Sequence, residues 1–443
     1  MTQNVEQTTV TARDLLKIRD FRLLWLGQII SNFGDALTHL TLVLYINRIT
    51  SGDAQAIAWL LIALALPMAT LGLVAGVFVD RWDRKRVMII SDGLRAVLTL
   101  GFVAAAAFQQ LWLIYLLAFF HATVSAFSAP ARSAIIPRVV PKAGLLAANS
   151  LSQMSLVFFR VLGTAMAGVL VGTLETFSTA FIIDAITFIV SALLITQLRV
   201  ATQTAVTQTP ASVNHIFAQL RDGLGLIAGS RILIGVMIAG GVAMLGAGAL
   251  NVLLAPMIVN DLGLPETWFG AIEFAQVSAM ILSGALVTIL AAKFKPANLT
   301  SGGLFLSGLV ILPLAFVSHI WQLFPLLFAM GLLATPLNAG ISTLVQTAVA
   351  DEHLGRISSA LHAVIQTASL VSMFFAGTVA ALVGVRNVFL ISGVIVALSG
   401  IVAARIFSGQ YSVRSEQSSV VSEQSPVIAE PVTETISLEK PGF

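Results

Sequence analysis

Residues 76–92 read GVFVDRWDRKRVMIISD. Positions 77–86 hold two Asp, three Arg and one Lys, in a chain where only 10% of the 443 residues are charged and 57% are hydrophobic. A soluble domain is roughly 25% charged, and mean hydropathy here is +0.93. A soluble fold of this length cannot hide so much apolar surface, so the chain reads as a membrane protein and the charged stretch as a loop between two spans.

Outward from that loop, apolar runs recur along the chain. Twelve are bounded by charges or by Gly, Pro and polar clusters: about 21–49, 56–79, 87–108, 111–130, 146–171, 178–198, 231–258, 267–292, 299–317, 322–345, 357–383 and 387–406. Lipid offers no hydrogen-bond partner to backbone groups, so the runs are expected to be helices. They are too long and too uniformly apolar for a barrel. The fold class is therefore an all-α membrane protein with 12 transmembrane helices. With the N-terminus inside, 20 of the 24 Lys and Arg fall in cytoplasmic segments; Arg48 and Arg386 fall outside, and Arg95 and Arg160 lie within spans. That asymmetry predicts both termini cytoplasmic in a multi-pass cell-membrane protein.

The expected organisation is an N-terminal cytoplasmic segment (1–20), a six-helix bundle (21–198), a cytoplasmic linker (199–230), a second six-helix bundle (231–406) and a disordered cytoplasmic tail (407–443). The bundles align at a shift of about 208–210 residues, with Gly76 on Gly284 and Lys85 on Lys293. Such pseudo-symmetric halves are the layout of alternating-access transporters, with substrate bound between them near the midplane. No nucleotide-binding loop, nucleic-acid signature or spaced metal ligand set occurs, and there are no cysteines. The expected partners are a small-molecule substrate and the bilayer, without nucleotide, nucleic acid, metal or cofactor, and the expected form is a monomer. Catalytic residues are not expected; the rival reading of a membrane enzyme would cluster His or acids at one face, whereas the six His are scattered.

In the opening stretch, Gly76, Asp80, Arg81, Arg84 and Lys85 resemble the G-x-x-x-D-R-x-x-R-[KR] loop of the major facilitator superfamily. The resemblance implies a conformational latch, in which the glycine lets helices approach and the Asp meets basic groups or helix ends across the halves in one state. Asp92 and Arg95 are assigned to the same network. FRLLWLGQIISNFGDALT, SAPARSAIIPRVVPKAGLLAANSLSQ and FIIDAITFIVSALL further resemble the branch of macrolide-efflux proteins and the enterobactin exporter. This implies proton-coupled efflux of hydrophobic or amphipathic molecules, with a siderophore or lipid exporter as the alternative. The Gly-Pro pair frequent in the fifth span of antiporters is Gly163-Thr164 here.

Charges within spans need partners or a wet cavity, because each costs roughly 2.5–3.5 kcal/mol to insert. Asp35 lies deep in the first span, with Asn32 and His39 on the same face, and is the leading candidate for proton exchange. Arg160 in the fifth span is expected to hold an anionic group or to pair with Asp35. Glu273 in the eighth is the second proton candidate, and Asp184 in the sixth reads as structural.

Overall fold

The computed structural model describes residues 11–79, 81–174, 176–199 and 213–423. A short helix, α1 (Ala12–Lys17), leads into six spans: α2 (Arg19–Ile49), α3 (Ala54–Val79), α4 (Arg84–Ala107), α5 (Leu111–Val139), α6 (Leu145–Leu174) and α7 (Ser178–Thr196). A linker helix, α8 (Val213–Ala228), precedes α9 (Arg231–Pro256), α10 (Trp268–Lys293), α11 (Pro296–Ile311), α12 (Ile320–Ala348), α13 (Asp351–Val383) and α14 (Val385–Glu423). All twelve spans are long and apolar enough to cross a bilayer.

Three boundaries differ from expectation. α5 continues past 130 to Val139, through Pro130 and Pro137; in a membrane protein neighbouring groups can satisfy the carbonyls a proline frees. The linker is partly helical. Its α8 sets Leu220 and Leu224 against α13, and a methyl on Gly223 would crowd the Arg356 carbonyl. The last helix runs to Glu423 rather than stopping at 406, and residues 424–443 of the expected tail lie outside the described residues.

The halves repeat one packing scheme. α2 packs on α6 and α7, α3 on α5, and α4 on α5 and α7; correspondingly α9 packs on α13 and α14, α10 on α12, and α11 on α12 and α14. The halves meet along α3–α13 and α6–α10. An even number of spans returns the chain to the face where it began, here called the termini side; the opposite face is the far side.

The apolar core is divided unevenly between those faces. On the far side one cluster runs through both halves, including Leu44, Ile57, Phe102 and Phe181 with Val252, Ile258, Leu314 and Phe389. On the termini side there are two clusters. One holds Phe21, Leu24, Met88 and Ile135 of the first half; the other holds Leu233, Leu304, Ile357 and Phe407 of the second. Hydrogen bonds reinforce the far-side union: Asn47 Nδ2 donates to Asn260 Oδ1 at 2.9 Å, Arg48 Nη2 to Glu266 Oε1 at 2.6 Å, and Thr378 Oγ1 to Gln55 Oε1 at 2.7 Å. Glycines allow this closeness, since methyls on Gly168 and Gly172 would strike Glu266 and Thr267 and one on Gly377 would strike Gln55. Near the termini side, methyls on Gly76 and Gly284 would meet nothing within 4 Å.

Candidate transport site

Arg95 is the centre of the buried charge. It lies midway along α4, about 16 Å from the first residue at 1.5 Å per residue, and is 2% exposed. Its Nη2 donates to Asp92 Oδ1 one turn earlier, and Ser191 Oγ of α7 donates to Asp92 Oδ2 at 2.6 Å. Its Nη1 donates to Asp35 of α2, at 3.0 Å to Oδ2 and 3.3 Å to Oδ1. The guanidinium lies over the Phe188 ring, 4.2 Å from the centroid, a cation–π contact strengthened by desolvation. Two carboxylates thus share one cation at mid-membrane. Asp92 is fully buried, while the Asp35 side chain is 34% exposed.

The first expected partner of Asp35, Arg160, is not the one it has. Asp35 pairs with Arg95 because α4 begins at Arg84, which carries Arg95 to the middle of the span and level with Asp35. Arg95 therefore belongs to the mid-membrane group rather than to the loop at the helix end. Arg160, midway along α6, and His39, one turn beyond Asp35, are both exposed toward the interior. Arg160 is close enough to act electrostatically on His39 and on Glu273, which α10 contributes from the other half. Asp35, His39, Arg160 and Glu273 consequently form one mid-membrane group spanning both halves. Asn32 is partly buried, and its Nδ2 has no hydrogen-bond partner among the described residues.

Two further residues near Arg95, the partly buried Arg132 and the buried Asp184, were not among the sequence candidates. Arg132 was counted as a loop anchor, but the continuation of α5 past Pro130 brings it within electrostatic reach of Asp92, Asp35 and Arg95. Asp184 of α7 is 0% exposed and lies near Asp35 and Arg95. An acid inside an apolar span was the available signal for Asp184; for Arg132 the two prolines hid the signal. His121 is 7% exposed among the rings of Phe102 and Phe188.

The loop residues hold local structure in this conformation. Asp83 caps the start of α4, its Oδ1 accepting from Lys85 N at 2.9 Å and Arg86 N at 3.2 Å. Lys85 Nζ donates to the carbonyls of Thr196 and Leu198 at the end of α7, at 2.7 and 2.8 Å. Such a lysine satisfies carbonyls left open at a helix C-terminus. Arg84 Nη1 donates to the Ala134 carbonyl at 3.3 Å. These contacts join parts of the first half, not the two halves. Arg81 is also engaged, and Asp80 lies outside the described residues. The Gly163-Thr164 site packs closely without proline, since a methyl on Gly163 would overlap the Phe33 carbonyl of α2.

A cavity of about 440 Å³ lies between α8, α9 and α13, lined by Leu220, Leu224, Leu245, Val364, Thr367 and Val371 among others. Its wall is almost wholly apolar.

Comparison with known proteins follows the same lines. The sequence profile of the transmembrane secretion effector family matches residues 11–436. Macrolide efflux protein A of Streptococcus pyogenes is 24% identical over 392 residues, covering 87% of this chain and 95% of that protein. The MFS-type transporter YkuC of Bacillus subtilis is 25% identical over 354 residues, covering 78% and 82% respectively. Among solved structures, the nucleoside transporter NupG superposes with a TM-score of 0.71 at 15% identity, covering 87% of this chain and 99% of that one. A bacterial homologue of the iron transporter ferroportin gives 0.71 at 14% identity, covering 88% and 99%.

Proposed function

We propose that this chain, which belongs to the transmembrane secretion effector family of the major facilitator superfamily, exports hydrophobic or amphipathic small molecules by alternating access, driven by protons moving the other way. Its relatives are transporters rather than enzymes. The observation that carries the reading is the division of the core, one cluster through both halves on the far side and two separate clusters on the termini side. A molecule closed at one face and parted at the other is one of the two end states that alternating access requires. The basic residues favour a cytoplasmic termini side in the cell membrane, which makes this conformation inward-open.

In the outward-open state the termini side closes. Gly76 then approaches the other half, and Asp80, Arg81, Arg84 and Lys85 form the latch across it. The partners Arg84 and Lys85 hold now are exposed or only partly buried, so exchanging them is inexpensive. The apolar cavity beside α13 supports an apolar substrate, and the macrolide efflux relatives support a bulky one.

Coupling resides in the mid-membrane acids. Asp35 is partly exposed and shares Arg95 with Asp92. Protonation of Asp35 weakens its bond to Arg95 and frees α2 to move relative to α4. Asp35→Asn, reconstituted in vesicles, is expected to lose uphill substrate movement driven by a pH gradient while keeping downhill exchange. Retained gradient-driven movement places the proton elsewhere, with Glu273 tested next. A panel of macrolides, siderophores and lipids in the same vesicles distinguishes the substrate classes.

A further inference from the structure

Asp184 is more deeply enclosed than Asp35, and its surroundings are poorer in hydrogen-bond donors. The side chain is 0% exposed. The Thr187 hydroxyl lies 3.1 Å from Oδ1, but its single hydrogen is shared with the Asp184 carbonyl at 2.7 Å. Oδ2 has no partner among the described residues. α2 closes over the group so tightly that a methyl on Gly34 would overlap both Asp184 Oδ1 and Thr187 Oγ1. An ionised carboxylate offers about four acceptor sites and is strongly disfavoured in an apolar interior without matching donors. The groups facing Asp184 supply only two neutral hydroxyls, that of Thr187 and that of Thr38 on α2. Asp35, which approaches from α2, is itself an acid. Arg95 of α4 already gives Nη1 to Asp35 and Nη2 to Asp92. His121 and Arg132 of α5 also lie within electrostatic reach of Arg95, and His39 lies beyond Asp35 on α2.

Arg95 nevertheless retains one unused donor. Its Nε is buried and without a partner, as is Asp184 Oδ2, and the two residues are close enough to interact electrostatically. Two buried groups of complementary charge within electrostatic reach, each with an unsatisfied atom, mark a contact available in another arrangement.

We propose that Asp184 is a second proton-binding site, protonated in the conformation seen here, and that Arg95 alternates between Asp35 and Asp184 so that the carboxyl it leaves is the one that holds the proton. The exchange balances without a redox partner. When Asp35 takes a proton from the cavity, its O–H bond forms and Arg95 is released. Arg95 then turns to Asp184, whose O–H bond breaks, and the proton passes to water admitted as α2 moves off the site, leaving the carboxylate paired with the guanidinium. One proton enters and one leaves per swing. This deepens the proton-coupled reading above and rests on it for direction, but the occupancy of Asp184 is measurable without transport.

The test uses the full chain in lipid vesicles. Infrared difference spectra at neutral pH are expected to show the C=O stretch of a buried protonated carboxyl in the wild type. That signal is lost in Asp184→Asn, and lost also in Asp35→Asn, where Asp184 ionises against the freed Arg95. A spectrum without the protonated-carboxyl signal in the wild type overturns the proposal, and this measurement needs no variant to fold. Survival of the signal in Asp184→Asn overturns it too, because the proton then belongs to another group. Its survival in Asp35→Asn overturns the alternation. Wild-type vesicles that show the signal but accumulate no substrate under a pH gradient count against the coupled-export reading and leave the proton site standing.

Discussion

The α4–α7 seam of the first half and the α11–α14 seam of the second occupy matching places in the two bundles, and they are held by opposite chemistry. Between α4 and α7 lie Asp92, Arg95 and Ser191, joined by an ion pair and hydrogen bonds, with the buried Asp184 one further acid in the same seam. At a shift of about 208 residues these acids and the arginine fall on Thr300, Gly303 and Ser392, while Asp35 falls on Ala243, and all four counterparts are buried. The second seam is instead a glycine contact. Methyls on Gly308, Gly393 and Gly400 would strike Ala397, Leu312 and Phe305 respectively. Two solutions to one packing problem therefore coexist in the same chain. Backbone approach through small residues is sufficient to hold such a seam, so the charges of the first half are not required by the architecture. On the proposed mechanism, that difference assigns the moving chemistry to the first half and a stiff support to the second.

The sharpest way to break the comparison is Arg95→Leu. It strands Asp92 and Asp35 without their cation, and removal of one member of a buried pair costs roughly 3–5 kcal/mol. Near-complete loss of folded protein in the membrane is expected, read by detergent-extracted abundance and thermal midpoint. Adding Asp92→Leu should restore abundance but not gradient-driven transport. Normal accumulation of Arg95→Leu alone would show the network to be dispensable for folding.

Gly308→Val probes the other seam. Overpacking of a close contact costs about 1–3 kcal/mol, so the thermal midpoint should fall while the pH dependence of transport stays as in the wild type. A changed pH profile would mean that the glycine seam takes part in coupling. A smaller effect is expected at the far side. Arg48→Ala with Glu266→Ala removes a partly exposed pair worth about 0–1 kcal/mol, and a few-fold shift toward the outward-open state should follow. The chain has no cysteine, so Gly76→Cys and Gly284→Cys can report this as slower labelling by an impermeant maleimide applied to the termini side. Unchanged labelling would remove that pair from the far-side closure.

The smallest effect belongs to α1. The Thr11 hydroxyl, and then Lys17, hold the exposed Asp14 carboxyl at about 2, below its ordinary 3.8. A lowered folded value contributes stability above the unfolded value and loses it as pH falls toward 2. Circular dichroism and flux should therefore not respond to this group around neutral pH, and Asp14→Asn should transport normally. A neutral-pH transport defect in that variant would give α1 a role beyond capping.

The spans were legible because an apolar run of twenty residues has few alternatives, and the doubled bundle because the shift persists from Gly76 to Lys85. Asp35, His39, Arg160 and Glu273 were legible one at a time, since charge inside an apolar run stands out. Their pairing was not. It depends on how far each helix extends, and starting α4 three residues earlier sets Arg95 about 4.5 Å deeper along the helix than the expected span does. Arg132 was masked for a related reason, because Pro130 and Pro137 read as a helix end when the helix passes through both. Asp184 was visible as an acid, but its lack of donors is a property of α2 and α4 that its own segment does not contain.

The docking of α8 onto α13 fixes how the two bodies are leashed. Gly223 brings α8 against the Arg356 carbonyl, so most of the connecting chain is already fastened to the second body. Thirteen residues, 200–212, lie between the end of the first bundle and that fastened helix, and a chain of that length can reach at most on the order of 45 Å. A cut made before α8 would therefore part the chain into two pieces, each carrying away a complete bundle and the second keeping its fastener.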